Sequence, residues 1–443
     1  MKRIVVVGFG SAGITAAATA RMVNREAEIK VIERRPYAIH HPCGIPFAIG
    51  GEIPDIKKLI EPTSKLPKVE VQTETEAVAI DADKKTIEVS SLKTGKRETL
   101  EYDALILTMG SYPFKPPIPG IDLKNVYVVN RVEDGQSIID ALKKAKNAVI
   151  IGAGVIGIET AVGLKNRGLE VKVVEMLSST LPKMLDPDMA DLVTKRLNEL
   201  GIEGLCGQAV KEIRGEKRVQ SVLVGERELP ADLVIVAVGV RPEIGLAKAA
   251  GITLGKTGGI KVDDHFRTSI PGIYAAGDCA ESFCLITKCP ILSQFATTAI
   301  RMGKVVGTNS AGGDATFPGV LNTAVTCVPG MEIASTGLTT HAAKEAGIEP
   351  IAGRIRTLDK PSYYPGAEPI FIKLLVEPKE RKLIGGQVIG AKGAAERVNL
   401  LALATQRDMT IEELAQMEYC YAPPVTTDIE PIVMATEAVL RRL

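Results

Sequence analysis

The chain has no excess of either charge: 54 Lys and Arg against 53 Asp and Glu leave a formal charge of +1 over 443 residues. That balance argues against a binder of nucleic acid or another polyanion, because proteins that displace counterions gather Lys and Arg. The sequence also lacks any apolar run near the ~20 residues that span a bilayer, and it lacks low-complexity tracts. The start, Met1-Lys2-Arg3 followed by Ile4 to Val7, imitates a signal peptide, but Gly8, Gly10 and Gly13 break the apolar region. There is no disulfide framework either: the seven cysteines are an odd number scattered at 43, 206, 279, 284, 289, 327 and 420. These absences predict a cytoplasmic chain with reduced thiols, no membrane segment and no nucleic-acid partner. Its length is about three times the ~150-residue domain prior, so two or three domains are expected.

One pattern occurs twice. Gly8, Gly10 and Gly13 form a Gly-x-Gly-x-x-Gly loop, and Gly152, Gly154 and Gly157 form another. Three fixed glycines would coincide about 0.4 times by chance in a chain this rich in glycine, so context must decide. Ile4 to Val7 and Ala148 to Ile151 precede the loops as short apolar runs suited to buried parallel strands, and helical stretches follow. Each unit then reaches a second strand ending in an acid, Glu28 to Glu33 and Glu170 to Glu175. The first glycine permits a tight turn, the second admits a pyrophosphate, and the third lets the helix pack on the strand. The acids suit a ribose hydroxyl, and a carboxylate at Glu175 repels a 2′-phosphate, which favours NADH over NADPH. Further matching strands, Tyr102 to Gly110 and Ala231 to Gly239, return to each unit, and Thr268 to Asp278 adds a third strand and a Gly-Asp turn.

Together these pieces resemble the FAD- and NAD-dependent pyridine nucleotide-disulfide oxidoreductases over essentially the whole chain. The resemblance implies an α/β fold with two Rossmann-like domains, FAD- and NAD-binding, and a C-terminal α+β dimerisation domain. It implies an FAD-binding domain at 1–112 and 241–318, an NAD-binding domain at 113–240 and a dimerisation domain at 319–443. FAD then falls to Gly8, Gly10, Ser11, Ala12, Gly13, Glu33, Arg34, Pro42, Val78, Thr108, Gly110, Gly277 and Asp278. Val78 matches a backbone contact to adenine, and Asp278 a carboxylate at the ribityl and phosphate region. NADH, with NADPH as the alternative donor, falls to Gly152, Gly154, Val155, Ile156, Gly157, Glu159, Glu175 and Gly239.

Dithiol members of that family carry Cys-x-x-x-x-Cys after the first unit. This chain reads His40-His41-Pro42-Cys43-Gly44-Ile45-Pro46-Phe47-Ala48, with alanine in the second position. It is therefore similar to the single-cysteine subgroup of coenzyme A disulfide reductases, per- and polysulfide reductases, NADH oxidases and NADH peroxidases. A cysteine used this way cycles between thiolate and a mixed disulfide, persulfide or sulfenic acid. A thiol of ordinary pKa, about 8.5, is only ~3% ionised at pH 7, and placement before a helix raises that fraction. His40 and His41 are open to two readings, as acids for a leaving thiol or as loop residues.

The acceptor is read from four places. Oxygen- and peroxide-reducing relatives carry a histidine where this chain has Ser11, which favours a sulfur substrate. Ser362-Tyr363-Tyr364-Pro365-Gly366 and Tyr421-Ala422-Pro423-Pro424 match coenzyme A disulfide reductases, in which two tyrosines reach across a dimer toward the other copy's cysteine; the resemblance gives Tyr363 and Tyr421 that catalytic role. After that motif the chain continues Val425-Thr426-Thr427-Asp428-Ile429-Glu430, an acidic stretch that disfavours the phosphates of coenzyme A, although Arg21 remains available to one. Cys420 beside Tyr421 is a candidate second thiol. The implied enzyme is a homodimer or dimer of dimers reducing a coenzyme A disulfide, coenzyme A persulfide or polysulfide; the alternatives are an NADH oxidase and an electron-transfer reductase for a protein partner. Cys279, Cys284 and Cys289 have no closing histidine or Cys-x-x-Cys, so no metal is expected.

Overall fold

Short apolar runs bounded by glycine form fully buried parallel strands, and the computed structural model, which describes residues 1–62 and 66–443, arranges them in two sheets of one plan. The first runs Ile273–Ala275, Ala104–Leu107, Arg3–Val7, Glu28–Ile32, Val69–Gln72, with every pairing parallel. The second runs Val126–Tyr127, Leu233–Val236, Asn147–Ile151, Glu170–Glu175, Ile202–Cys206, again parallel. The loop-bearing strand occupies the same place in both. Val5 pairs with Lys30 and Leu105, and Val149 pairs with Lys172 and Val234. Ala104–Leu107 and Leu233–Val236 are buried at every residue, as strands covered on both faces require.

Past residue 320 the period changes. Ala324–Val328, Met331–Gly337, Leu383–Gly390, Pro369–Val376 and Ile351–Leu358 form an antiparallel sheet in that order. Helices Ala394–Gln406 and Pro431–Leu440 cover it through Val398, Leu401, Ile432 and Val439, which share a core with Ile372, Leu374 and Val388. Pro369–Val376 and Leu383–Gly390 pair as a hairpin inside this sheet, with Leu383–Gly390 at its centre.

By contact density the chain divides into two compact units. One comprises Met1–Ile45, Asp55–Phe114 and Val240–Val320; the other comprises Pro46–Pro54, Lys115–Gly239 and Leu321–Leu443. The first holds the first parallel sheet, and the second holds the other two sheets. Among the described residues no helix is long and apolar enough to cross a membrane.

Helix Ser11–Val23 buries only small residues, among them Ala12, Ala16, Ala17 and Ala20. Helix Ala296–Ala311 lies against it through Gly303 and Gly307. A Cβ on Gly303 would stand 2.6 Å from the Ala12 carbonyl oxygen, and one on Gly307 would stand 2.5 Å from that of Ala16. The two helices therefore meet backbone to backbone, and the glycines are demanded by distance alone. Gly303→Ala tests this with a definite sign. Helix propensity favours alanine by about 1 kcal/mol, yet overpacking costs about 1–3 kcal/mol. The two terms net to a loss of up to about 2 kcal/mol, read as a lower urea midpoint; an unchanged or higher midpoint contradicts the close contact.

Candidate active site

Gly8 ends the first strand with φ +92°, where a side chain is strained, and a Cβ there would lie 2.4 Å from the Thr108 carbonyl oxygen. A Cβ on Gly13 would lie 2.1 Å from the carbonyl oxygen of Gly8, so the helix starts directly on the turn. Gly10 is different. Its φ is −81°, and nothing stands within 4 Å of its missing Cβ. The helix that follows has no side-chain cap and no acidic residue in its first turn, which leaves its first N–H groups to an anion. Open space above Gly10 and open donors beside it fit a pyrophosphate. The second loop repeats each part: Gly157 would place a Cβ 2.0 Å from the Gly152 carbonyl oxygen, Gly154 faces open space, and helix Val155–Asn166 is uncapped with no first-turn acid.

Around the first loop the carboxyl ends of adjacent strands converge, which is where an open α/β sheet holds its ligand. Thr108 Oγ1 donates to the carbonyls of Val7 and Gly8 at 3.0 and 2.9 Å and fastens the loop. Asp278, after Gly277, accepts from Ser111 Oγ at 2.8 Å, next to Gly110. Burial pushes the Asp278 carboxyl above its usual range despite that bond. Val78 falls in a bulge between Ala77 and Ala79, so its backbone is excused from the ladder. Arg34 is exposed and reaches Glu76 at 3.3 Å.

The two strand-end acids have diverged. Glu33 is 4% exposed; it accepts from the Phe9 and Arg35 backbone N–H groups at 2.8 Å, and the Arg35 guanidinium closes on both oxygens at 2.8 Å. Burial raises its carboxyl, but Arg35 and the backbone donors outweigh burial and hold it below the usual range. Its four acceptor positions are filled. Glu175 accepts from the Ala153 and Leu177 N–H groups at 2.8 Å, which leaves two positions, and exposed Met176 and Leu177 follow it.

Cys43 is exposed in a single 3-10 turn, Pro42–Gly44, directly before helix Ile45–Gly50. Ala48, in the position of a second thiol, is buried. The residues after Cys43 are clamped to the second loop helix: a Cβ on Gly50 would meet the Gly163 Cα at 2.9 Å, and Arg167 Nε donates to the Ile49 carbonyl at 2.8 Å. His40 Nδ1 lies 2.9 Å from Arg35 Nη1. Since arginine cannot accept, that nitrogen carries no proton, and His40 extends the Glu33–Arg35 network. His41 is exposed and faces Glu61 at 3.2 Å.

Glu159 accepts from Thr326 Oγ1 at 2.8 Å, and burial raises its carboxyl. It lines a cleft of about 310 Å³ with Pro46, Phe47, Glu52, Cys327 and Glu332. Burial and the nearby carboxylates push the Cys327 thiol up, away from nucleophilic use. Tyr363 and Tyr421, 58 residues apart in sequence, bring their hydroxyls to 3.1 Å, and both rings are exposed. That bond raises the Tyr421 phenol.

One expectation needs correction. The acidic stretch at 425–430 is not an acidic surface, because Glu430 is buried against the Arg397 guanidinium and Thr426 Oγ1. Of its two acids only Asp428 is exposed, which removes most of the argument against a phosphate-bearing substrate. Arg21 donates to the carbonyls of Arg25 and Lys68, in a groove whose rim mixes Arg25 and Lys68 with Glu26, Glu28 and Glu70. The Arg35 clamp, the Gly50–Gly163 contact and the Arg397–Glu430 pair left no sequence signal beyond residue type.

Residues 2–303 match the profile of the pyridine nucleotide-disulphide oxidoreductases, and residues 323–431 match the dimerisation domain of the same family. An NADH oxidase of Methanocaldococcus jannaschii is 41% identical over 446 residues, covering 100% of this chain and 99% of the relative. A CoA-dependent NAD(P)H sulfur oxidoreductase of Pyrococcus furiosus is 32% identical and covers 98% of both chains. Among solved structures, the NAD-dependent persulfide reductase of A. fulgidus superposes with a TM-score of 0.96 at 37% identity, over 99% of this chain and 83% of its own. The chain therefore belongs to the pyridine nucleotide-disulphide oxidoreductase family and is an FAD- and NAD(P)H-dependent oxidoreductase.

Proposed function

We propose that the enzyme uses NADH to reduce a sulfur–sulfur bond through Cys43, as a homodimer. The observation that carries this reading is the exposed Cys43 at the head of its helix, with alanine where a second thiol would sit. In this assignment residues 1–112 and 241–318 bind FAD, 113–240 bind NADH and 319–443 form the dimer. Gly10, the Ser11–Gly13 turn, Thr108, Gly110 and Asp278 hold the flavin dinucleotide, with Val78 at its adenine. Gly154, Val155, Ile156 and Glu175 hold the nicotinamide dinucleotide. Bound FAD supplies a two-electron relay between NADH and sulfur.

The Cys43 thiolate attacks RS–SR′ and forms Cys43–S–SR while R′S⁻ leaves, as a thiolate or, from a persulfide or polysulfide, as a sulfide. Two electrons and one proton then cleave the new bond, releasing RSH and restoring the thiolate. Tyr363 and Tyr421, whose hydroxyls meet at 3.1 Å, act as phenolic donors to the departing sulfur. Relatives named for persulfide and CoA-dependent sulfur reduction support a sulfur acceptor, and Ser11 supports it against peroxide chemistry. The M. jannaschii relative, named an NADH oxidase, favours oxygen as the second reading.

Cys43→Ser is the direct test. Turnover with coenzyme A disulfide or polysulfide should fall about 100-fold or more, while the protein still retains FAD and NADH still bleaches it. Full turnover by that variant contradicts the mechanism.

The donor is tested at Glu175. A carboxylate meeting a 2′-phosphate about 4 Å away costs several kcal/mol at an effective dielectric of about 20. We expect kcat/KM for NADH to exceed that for NADPH by about tenfold or more, and Glu175→Ala to narrow the ratio. Equal efficiencies in the wild type contradict the role given to Glu175.

A further inference from the structure

Cys279, Cys284 and Cys289 take no part in that mechanism, and the fold separates them. Cys279 is buried with its Sγ 3.5 Å from the carbonyl oxygens of Leu107 and Ala276, and burial pushes its thiol up to about 11. It is a core thiol. Cys284 and Cys289 stand opposite each other across a hairpin. Strands Ser282–Phe283 and Pro290–Ile291 pair antiparallel, Ser282 with Ile291 and Phe283 with Pro290, and the next rung is a 2.9 Å bond from the Cys284 N–H to the Cys289 carbonyl. The turn between them closes with the Lys288 N–H on the Cys284 carbonyl at 2.9 Å, and Lys288 has φ 57°.

Opposed residues of an antiparallel pair send their side chains to one face, with Cα atoms about 5.5 Å apart. A disulfide spans Cα separations of roughly 4.4–6.8 Å, so two thiols on this rung are within bonding reach. Their surroundings differ. Cys284 is 6% exposed, whereas Cys289 faces solvent. An accessible thiol beside a sheltered one is the arrangement of an attacking and a resolving cysteine. Among the described residues neither belongs to a group able to hold a metal ion.

We propose that Cys284 and Cys289 are a reversible redox pair, separate from Cys43, that closes to a disulfide when a low-molecular-weight disulfide or polysulfide is in excess. The Cys289 thiolate attacks RS–SR and one RS⁻ leaves. Cys284 releases its proton to solvent and attacks the Cys289 sulfur, and the second RS⁻ leaves. Two protein thiols lose two electrons in forming one disulfide, and RS–SR gains them to become two RSH; excess RSH reverses the exchange. Only the class of oxidant rests on the proposed function; the pair itself rests on the hairpin.

The hairpin is tied to the flavin-side loop. Pro290–Ile291 leads through Ser293, whose hydroxyl donates to Thr298 at 3.0 Å, into helix Ala296–Ala311. That helix is the one in backbone contact with helix Ser11–Val23 at Gly303 and Gly307.

The test uses the holoenzyme equilibrated in graded mixtures of reduced and oxidised glutathione, alkylated and then digested with trypsin. Cleavage after Lys288 puts the two cysteines on different peptides, so a disulfide between them appears as a linked pair two hydrogens lighter than its parts. We expect that pair, assigned to Cys284 by fragmentation, to rise to more than half of the protein as the oxidised fraction grows, within single chains. It should vanish in Cys284→Ala and persist in Cys43→Ser, so a failed Cys43 mechanism leaves this result intact. Glutathione on Cys289 with Cys284 alkylated at every ratio, or a link between two copies, overturns the proposal.

Discussion

The carbonyl oxygen of Gly8 lies 2.1 Å from where a Cβ on Gly13 would stand, and that of Gly152 lies 2.0 Å from the same point on Gly157. No side chain fits either gap. Each helix is therefore forced to begin against the end of its strand, and its unbonded N–H groups are delivered to the crevice at the carboxyl edge of the sheet. The remaining parts of the first site are arranged around that pinch. Thr108 ties the carbonyls of Val7 and Gly8, and the neighbouring strand brings Asp278 beside Gly110 and Ser111.

From this shared geometry the two units have separated by charge. In the first, Arg35 neutralises Glu33 and continues to His40, just ahead of Cys43. In the second, Glu175 keeps two acceptor positions, and among the described residues no cation pairs with it. A duplicated frame thus offers one site whose acid is internally compensated by Arg35 and one whose acid accepts only two backbone N–H groups. The second loop helix also carries Gly163, which packs backbone to backbone on Gly50 of the segment 46–54.

Much of this was legible because it is periodic or steric. Apolar runs ending in glycine announce parallel strands, three glycines at fixed spacing announce the turn, and alternation past residue 369 announces the antiparallel hairpin. What was not legible depends on long-range pairing. Nothing in Glu430 says that Arg397, 33 residues earlier, removes its charge from the surface, and reading it as exposed wrongly counted against coenzyme A. Nor does local sequence announce that Tyr363 and Tyr421 share a hydrogen bond, or that Gly50 faces Gly163. Regular spacing carries no site by itself: Cys279, Cys284 and Cys289 form one series in sequence, yet a strand end and a hairpin turn give them unlike neighbours.

The relatives divide between oxidases and sulfur reductases at comparable identity, so the acceptor is a matter for this chain's own residues. Ser11 provides no imidazole at the first loop, and Tyr363 and Tyr421 bring two phenolic hydroxyls together at 3.1 Å. The most direct measurement is NADH turnover by one preparation with coenzyme A disulfide, coenzyme A persulfide, polysulfide and oxygen in parallel. The account predicts that at least one sulfur acceptor exceeds oxygen in kcat/KM by about tenfold or more. Oxygen turnover equal to or above every sulfur acceptor would contradict it.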